Sequence, residues 1–240
     1  MKPPKWHRDE VILALDLYFS LEPKEMTNKN PKVIELSEIL NCLPIHEERG
    51  IHQKFRNPNG IGMKMANFKA IDPDFAGKGM EKYSKLEEEV FYEFRNQKEQ
   101  LKEIALQIRK IVSNDELNNK LYQIPDEKED GVETVKEGRV IYKLHKLRER
   151  KPEINKAKKD KYFKEYGKLD CEVCRFDFFE FYGELGKGYM EAHHRIPLSQ
   201  LKSEMKTKLA DLALVCSNCH RMLHRKIDTM TIDDLRKRIS

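Results

Sequence analysis

The 240-residue sequence has no run of 18 or more apolar residues, so it predicts no membrane-spanning helix. Its first ten residues contain no apolar segment of the kind that directs secretion. Only five cysteines are present, and four of them form Cys-x-x-Cys pairs, a usage that fits metal ligands in a reducing compartment better than disulfides. These absences favour a soluble, cytoplasmic protein of one or two domains without a membrane partner.

Charge is abundant but unevenly distributed. Asp, Glu, Lys and Arg make up 36% of the residues, the mean hydropathy is −0.77 and the formal net charge is +5. Residues 139–170 hold 12 Lys or Arg and five Asp or Glu, whereas residues 81–138 are acidic. A concentrated basic segment indicates a polyanionic partner. A solvated, lysine-rich helix without any partner is the alternative interpretation of the same segment.

The pattern predicts an α+β protein that is mostly α-helical, in four segments. Residues 1–80 read as a helical domain, residues 81–138 as a long helix (81–112) followed by an acidic linker, and residues 139–170 as a basic helical segment. Residues 171–240 form the last segment. Turn and capping signals locate the first helices: a cap at Asp9, a helix start at Pro31, and the run Asn57-Pro-Asn-Gly60 before a short helix. Cys42 is expected to be a small buried apolar residue.

The last segment contains two cysteine pairs and two histidine pairs. Cys171 and Cys174 are separated by 41 residues from Cys216 and Cys219, so four thiolates could close one tetrahedral structural zinc site. Unconnected buried thiols are the alternative. Two histidine pairs remain, the neighbours His193-His194 and the pair His220 and His224, which would share one helix face at i, i+4 spacing.

The residues around these pairs predict local structure. Aromatic alternation from Phe176 to Tyr182, followed by three glycines, predicts a β-hairpin. The apolar run Asp211–Val215 precedes the second cysteine pair, and a helix is expected from Asn218 onward. His193 and His194 are expected on a strand.

The segments Glu191-Ala-His-His194-x-Ile-Pro-Leu and Asp211-Leu-x-Leu-Val-Cys216-x-Asn-Cys-His220-x-x-x-His224 resemble the signature of the HNH endonucleases. The resemblance covers about residues 165–226 and is close to the bacterial HNH restriction proteins called 5-methylcytosine-specific restriction protein A. It extends to the approach segment that ends in Arg148-Glu149-Arg150. It implies a ββα-metal fold with a four-cysteine zinc.

The resemblance also implies site roles. His194 corresponds to the general base, while His193, His220 and His224 correspond to ligands of one catalytic metal ion. Asp211 stands where the family keeps an Asn that supports the loop of the base, and an ionised Asp accepts hydrogen bonds without donating them. A neutral imidazole can take a proton from water, and a divalent ion can bind the scissile phosphate. Imidazole ligands suit Mn²⁺, Ni²⁺ or Co²⁺, and cellular abundance favours Mg²⁺.

Basic and amide side chains near these motifs are candidates for contacts to DNA. They are Arg195, Arg221 and Arg225 beside the histidines, Arg148 and Arg150 before them, and Arg56, Asn57 and Lys64 in the first segment. An ordinary solvated surface is the alternative for the first group. Turn chemistry and a plain helix surface are the alternative for the last.

These observations predict a metal-dependent endonuclease that cuts double-stranded DNA, with restriction of invading or modified DNA implied by the resemblance. The first segment would recognise the target, and a palindromic target would favour a homodimer. Two other functions fit the same residues: a zinc-dependent DNA-binding module without catalysis, and an HNH-type RNase of a defence system.

Overall fold

A computed structural model describes residues 4–46, 55–77, 79–80, 82–124, 139–149, 151–196, 207–225 and 230–239. The chain divides into two compact units, residues 1–126 with 138–141 and residues 127–137 with 142–240. The mostly helical α+β prediction is confirmed. The first unit holds α1 (Arg8–Ser20), α2 (Pro31–Cys42), α3 (Pro58–Ile71), α4 (Lys85–Phe94), α5 (Lys98–Val112) and α6 (Asp115–Tyr122). Helix α7 (Arg139–Glu149) begins in residues assigned to the first unit and continues in residues assigned to the second.

Helix α1 forms the centre of the first unit. Its residues from Val11 to Leu15 are all buried, and it contacts α2, α3, α4 and α5. Because apolar side chains cover nearly its whole circumference, this helix is a core element and not a one-sided surface helix. Phe68 of α3 and Phe91 of α4 are fully buried against this core.

Of the three capping and turn signals in the first unit, the one at Pro31 places its helix start as expected. Asn30 accepts a hydrogen bond from Lys32 N, and Pro31 occupies the first turn of α2 as expected. Asn57 likewise caps α3, so this helix begins at Pro58, earlier than the turn signals indicated. The expectation for Asp9 was wrong, because His7 is the cap of α1. Asp9 is buried within the helix and accepts a hydrogen bond from Val140 N of α7 at 3.1 Å.

Two further expectations for the first unit were wrong. Residues 81–112 do not form one helix, because the backbone turns at Gln97 (φ −130°, ψ 46°) and divides the segment into α4 and α5. Ser84 and Glu87 form a reciprocal capping box at the start of α4. Cys42, at the end of α2, is exposed and not buried.

The second unit is built around a two-stranded antiparallel sheet. Strands β1 (Glu191–His194) and β2 (Leu212–Val215) pair with Ala192 opposite Leu214 and His193 opposite Ala213. The other elements of the unit are α8 (Pro152–Tyr166), α9 (Phe178–Tyr182), α10 (Ser217–His224) and α11 (Ile232–Ile239). Helix α8 starts at Pro152, which occupies its first turn, and is capped at its end by Gly167, whose φ of +73° is the left-handed conformation that glycine favours.

The aromatic segment after the first cysteine pair is helical, so the prediction of a β-hairpin there was wrong. Asp177 accepts hydrogen bonds from Phe179 N and Glu180 N, which caps the short helix α9, and a 3₁₀ turn (Gly183–Gly186) follows. A capping carboxylate satisfies the first free N–H groups of a helix, and this local effect outweighs the alternation of aromatic residues.

The core of the second unit includes the cysteines. Cys171, Cys216 and Cys219 are buried among residues of β1, β2, α8, α10 and α11, such as Leu214 and Leu223. Within the described residues, no helix is long and apolar enough to cross a membrane.

Candidate metal centres and active site

The four paired cysteines converge in the core of the second unit and form a cluster able to hold a metal ion. Each pair forms a knuckle in which the backbone N–H of the last cysteine points at the sulfur of the first, with Cys174 N to Cys171 Sγ and Cys219 N to Cys216 Sγ each at 3.5 Å. Cys216 is also the cap of α10. The cluster therefore ties the loop after α8 to the end of β2 and the start of α10.

The geometry and the chemistry of this cluster fit a tetrahedral metal site. The Sγ atoms of Cys174 and Cys216 lie 3.7 Å apart, and zinc–sulfur bonds of about 2.3 Å place the sulfurs of a tetrahedron about 3.8 Å apart. Burial raises the pKa of the Cys219 thiol, and the neighbouring Cys171, Cys216 and Cys174 raise it further. Four thiolates at this distance need a bound cation, which is what a structural metal supplies.

Strand β1 and helix α10 bring the two histidine pairs together. The ring centroid of His193 lies 5.2 Å from those of His220 and His224, and the centroids of His220 and His224 are 4.4 Å apart. His220 and His224 occupy successive turns of α10, and their Nε2 atoms are 2.9 Å apart. The three histidines to which the sequence assigned a catalytic metal therefore lie side by side, and His193 and His224, but not His220, belong to a group of side chains whose ligand atoms are close enough to share one ion.

A buried carboxylate lies among these histidines. Glu149, the last residue of α7, has only 4% of its side chain exposed. Its Oε1 atom lies 2.6 Å from His145 Nε2 and 2.9 Å from His193 Nδ1, and its Oε2 atom lies 3.1 Å from the Nε2 atoms of His220 and His224. The two oxygens therefore face two different groups of imidazoles.

These contacts set the charges of the site. Burial alone raises the pKa of Glu149, but attraction to His145 and the nearby imidazole nitrogens of His145, His193 and His194 hold the pKa well below its usual value. Burial lowers the pKa of His193, and lowers that of His224 to about 4, against the opposing effect of Glu149. Glu149 is therefore a carboxylate at neutral pH, and the imidazoles of His193 and His224 are neutral, which is the form that binds metals.

His220 differs from its neighbours because a second carboxylate holds it. Its Nδ1 atom is bonded to Glu191 at the start of β1, which leaves Nε2 directed at Glu149. Burial lowers the pKa of His220, but Glu149 and Glu191 outweigh that effect and raise the pKa to about 9. A carboxylate on one ring nitrogen fixes the orientation of the other, as the outer partners of metal-binding histidines do.

His194 and Asp211 lie near each other, because the backbone of Arg195, the residue after His194, is hydrogen-bonded to the backbone of Asp211. His194 is 2% exposed, its Nε2 atom lies 3.4 Å from Thr207 Oγ1, and its backbone N–H donates to Glu149 Oε1 at 3.2 Å. Arg195 N, the next amide, donates to the backbone carbonyl of Asp211 at 2.8 Å. The carboxylate of Asp211 accepts from Lys208 N at 2.7 Å. Asp211 thus acts here only as an acceptor, a role for which an ionised side chain is suited.

A cleft of about 480 Å³ opens onto the site. Its floor includes Glu149, His220 and His224, and its rim carries the cationic side chains of Lys146 and Arg221. A second groove on α8 shares Asn155 with this cleft. It is lined by Lys156, Lys159 and Lys164 and by the exposed ring of Phe163. The entrance therefore has the positive charge that a phosphate backbone requires.

The structure places the predicted DNA contacts of the second unit as follows. Arg221 and Arg225 are exposed on α10 and directly after it. Arg195 is partly exposed and paired with Glu172. Arg150 lies outside the described residues, as does the side chain of Arg148.

The side chains of the first unit that were predicted to contact DNA bond to other residues of that unit. The guanidinium of Arg56 is buried, bonded to Glu10 at 2.5 and 2.9 Å. Asn57 caps α3, and Lys64 Nζ lies 2.7 Å from Glu87 Oε1. These contacts are the ones that the alternative of turn and fold chemistry describes.

Sequence reasoning gave no role to His145 or Glu149. The signal was present, because His145 and Glu149 stand at i, i+4 on a helix, as His220 and His224 do. It was missed because α7 precedes the first cysteine pair, and nothing in the local pattern shows that it packs on the histidines.

Comparison with known proteins gives one match: residues 171–226 match the family model for HNH endonucleases. A search of the curated proteins and a search of the solved structures gave no match. The matched residues contain the four-cysteine cluster, both strands and α10. The second unit therefore carries an HNH endonuclease domain, which indicates a nuclease that acts on nucleic acid.

Proposed function

We propose that this protein is a metal-dependent DNA endonuclease that hydrolyses phosphodiester bonds in the cleft of the second unit. The observation that carries the proposal is the convergence of His193, His220 and His224 around Glu149 below a rim of cationic side chains. An isolated zinc-binding module needs no second buried group of imidazoles, whereas such a group can hold a divalent ion and accept a proton in a metal-dependent phosphodiesterase.

In the proposed mechanism, His193, His220 and His224 hold one divalent ion, Mg²⁺ or Mn²⁺, with Ni²⁺ or Co²⁺ as substitutes. When bound, that ion supplies a Lewis acid for the scissile phosphate and the leaving oxygen. His194 is the proposed general base that takes a proton from the attacking water. Thr207 lies beside its Nε2 atom and limits its orientation. Glu191 fixes the ring of His220 in the same way.

Zinc is the proposed ion of the four-cysteine cluster, and its role is structural. Cys216 caps α10, the helix that carries His220 and His224, and β2, which ends just before Cys216, pairs with the strand that carries His193. Closing the cluster therefore brings together the two parts of the active site. Four thiolates leave no open position for a substrate, so chemistry at this ion is not expected.

Double-stranded DNA as substrate, restriction as the biological role and a homodimer on palindromic sites remain proposals. They rest on the resemblance to restriction proteins and on the cationic cleft and groove, which suit a phosphate backbone. Target recognition by the first unit rests on the resemblance alone, since Arg56, Asn57 and Lys64 are engaged in its fold.

A plasmid-nicking assay tests the proposed function. The zinc-loaded protein, freed of other divalent ions, is incubated with supercoiled DNA and with added Mn²⁺ or Mg²⁺, beside the variant His194→Ala. We expect wild type to nick the plasmid only with the added ion and His194→Ala to lose at least about 100-fold in rate, with unchanged DNA binding. Equal rates for the two proteins would remove His194 from catalysis. If neither protein cuts any nucleic acid while both bind DNA, the binding-module alternative holds.

The substrate is tested in the same assay. Duplex DNA, single-stranded DNA and structured RNA are offered in parallel, followed by matched DNA with and without modified cytosines. Faster cleavage of RNA would replace the DNA proposal with the RNase alternative. A requirement for modified cytosine would support restriction of modified DNA.

A further inference from the structure

Helix α7 lies before the residues matched by the HNH family model, yet its last turn reaches the centre of the site. His145 is fully buried and Glu149 almost so, although both are polar or charged. Burying such groups costs free energy unless each finds a partner or a metal ion. An imidazole and a carboxylate buried together in the last turn of α7 therefore indicate a shared partner in the interior.

Two buried imidazole nitrogens, of His145 and His193, lie close to Glu149 without a hydrogen bond to it, whereas the Nε2 atoms of His220 and His224 are hydrogen-bonded to Glu149 Oε2 at 3.1 Å. His145 Nε2 and His193 Nδ1 lie 2.6 and 2.9 Å from Glu149 Oε1, but neither makes a hydrogen bond of acceptable geometry, and the Nδ1 atom of His224 also lacks a partner. Ligand atoms that converge on one point, some of them without a hydrogen-bond partner, are the arrangement expected around a common ion. One ligand atom from each of His145, Glu149, His193 and His224 lies within 4.8 Å of the others.

We propose that α7 supplies two ligands, His145 and Glu149, to the divalent metal centre of this nuclease. The ion would then be held by the imidazoles of His145, His193 and His224 and by Glu149, and His220, whose Nε2 atom lies 3.1 Å from Glu149 Oε2, would complete the set proposed above. An oxygen ligand suits Mn²⁺ or Mg²⁺ better than imidazoles alone do. The centre would thus depend on a helix outside the HNH domain. The inference rests on the proposed function, because it concerns the metal centre of that site.

Metal binding without DNA tests the inference separately from catalysis. The zinc-loaded protein is titrated with Mn²⁺ alone, followed by calorimetry and by the electron paramagnetic resonance signal of free Mn²⁺. We expect wild type to bind one Mn²⁺. Glu149→Gln and His145→Gln should each weaken binding at least about 100-fold, because even partners outside the ligand set change metal affinity 10- to 100-fold. Glu153→Gln, an exposed glutamate on α8, is the matched control and should bind as wild type does.

Zinc content and cooperative thermal unfolding establish that each variant is folded. A folded Glu149→Gln or His145→Gln that binds Mn²⁺ with wild-type affinity would overturn the proposal. If either variant loses zinc or cooperativity, anomalous diffraction from crystals of the Mn²⁺-loaded wild type decides. A peak within about 2.2 Å of both a Glu149 oxygen and a His145 nitrogen supports the proposal, and a peak elsewhere overturns it. A protein that binds Mn²⁺ through α7 but cleaves no nucleic acid would support this inference and refute the proposed function.

Discussion

The backbone N–H of His194 donates a hydrogen bond to Oε1 of Glu149 at 3.2 Å, across 45 residues of sequence. One carboxylate oxygen thereby contacts the strand that carries the proposed base and faces the imidazole of His193. We therefore expect a change at Glu149 to affect the position of β1 as well as the charge of the site, so that metal binding, catalysis and local stability have to be measured separately.

Removal of the four-cysteine metal should unfold the second unit and leave the first intact. Cys171, Cys216 and Cys219 belong to the core of the second unit, so Cys216→Ser removes both a ligand and a cap of α10. We expect zinc release and loss of the cooperative transition of the second unit, because metal binding and folding are coupled. The lone tryptophan, Trp6, lies in the first unit and should report an unchanged transition there.

The matched control for this experiment is Cys42→Ser. Cys42 is the fifth cysteine, is exposed and lies in the first unit. It should keep one zinc per chain. Zinc retained by Cys216→Ser, with both transitions preserved, would contradict the structural role of the cluster.

Stability of the first unit should depend on the charge of Glu10. Burial raises the pKa of Glu10, but hydrogen bonds from His46 and Arg56 outweigh it and lower the pKa below its usual value. A lowered folded-state pKa stabilises the unit above the unfolded value of about 4.3, and this stabilisation is lost as the pH falls through the folded value. Glu10→Gln should therefore cost about 3–5 kcal/mol at pH 7, because it leaves Arg56 buried without a counter-charge.

Urea unfolding at pH 7 and pH 4, followed by Trp6 fluorescence, measures this effect. The centroid of the Trp6 ring lies 4.7 Å from the guanidinium carbon of Arg56, so the emission of Trp6 should respond to changes in the ion pair of Arg56 with Glu10. The exposed Glu22 offers the control Glu22→Gln, which should change stability by less than about 0.5 kcal/mol. If Glu10→Gln lost no more free energy of unfolding than the control, the contacts of Glu10 with Arg56 and His46 would not stabilise the unit.

Asp211 should tolerate the amide that HNH proteins keep at this position. Its carboxylate accepts from Lys208 N and donates nothing, and the Oδ1 atom of an asparagine can accept the same bond. Asp211→Asn should therefore cleave DNA within about threefold of wild type. Asp211→Ala should lose about 1 kcal/mol and roughly tenfold in rate. Single-turnover cleavage rates decide, and a large loss for Asp211→Asn would show that the negative charge itself is required.

The lysine groove on α8 should contribute contacts to the phosphate backbone. Lys156 and Lys164 are exposed beside the cleft, so neutralising both with glutamine should reduce the slope of log affinity against log salt by about 2. The loss should be the same for all DNA sequences. Lys24→Gln with Lys85→Gln, two exposed lysines of the first unit, is the control and should leave the slope unchanged. An unchanged slope for Lys156→Gln with Lys164→Gln would make the groove an ordinary solvated surface.

The cysteine and histidine pairs were predictable because their chemistry depends on spacing within a short stretch of chain. Two knuckles need a common ion, and an i, i+4 pair must share a helix face, whatever surrounds them. The start of α2 at Pro31 was equally local. It follows from one residue and its neighbours.

Residues whose role depends on a distant partner were not predictable in this way. Arg56 directly precedes the helix cap Asn57 and was predicted to face DNA, yet it is buried because Glu10 of α1 is buried beside it. Glu149 ends a helix in a basic segment, and only packing brings it to His193. The prediction of a β-hairpin after Cys174 was wrong for a different reason. The cap at Asp177 is itself a local signal, and it outweighs the alternation of the aromatic residues.

The most direct test of the account is the rate of plasmid cleavage by Glu149→Gln against Mn²⁺ concentration, relative to wild type and to Glu153→Gln. We predict a loss of at least about 100-fold at low Mn²⁺, partly recovered as Mn²⁺ rises, with the control equal to wild type. This pattern places Glu149 at the metal that the reaction uses. Cleavage by a folded Glu149→Gln at the wild-type rate, at every Mn²⁺ concentration, would contradict it.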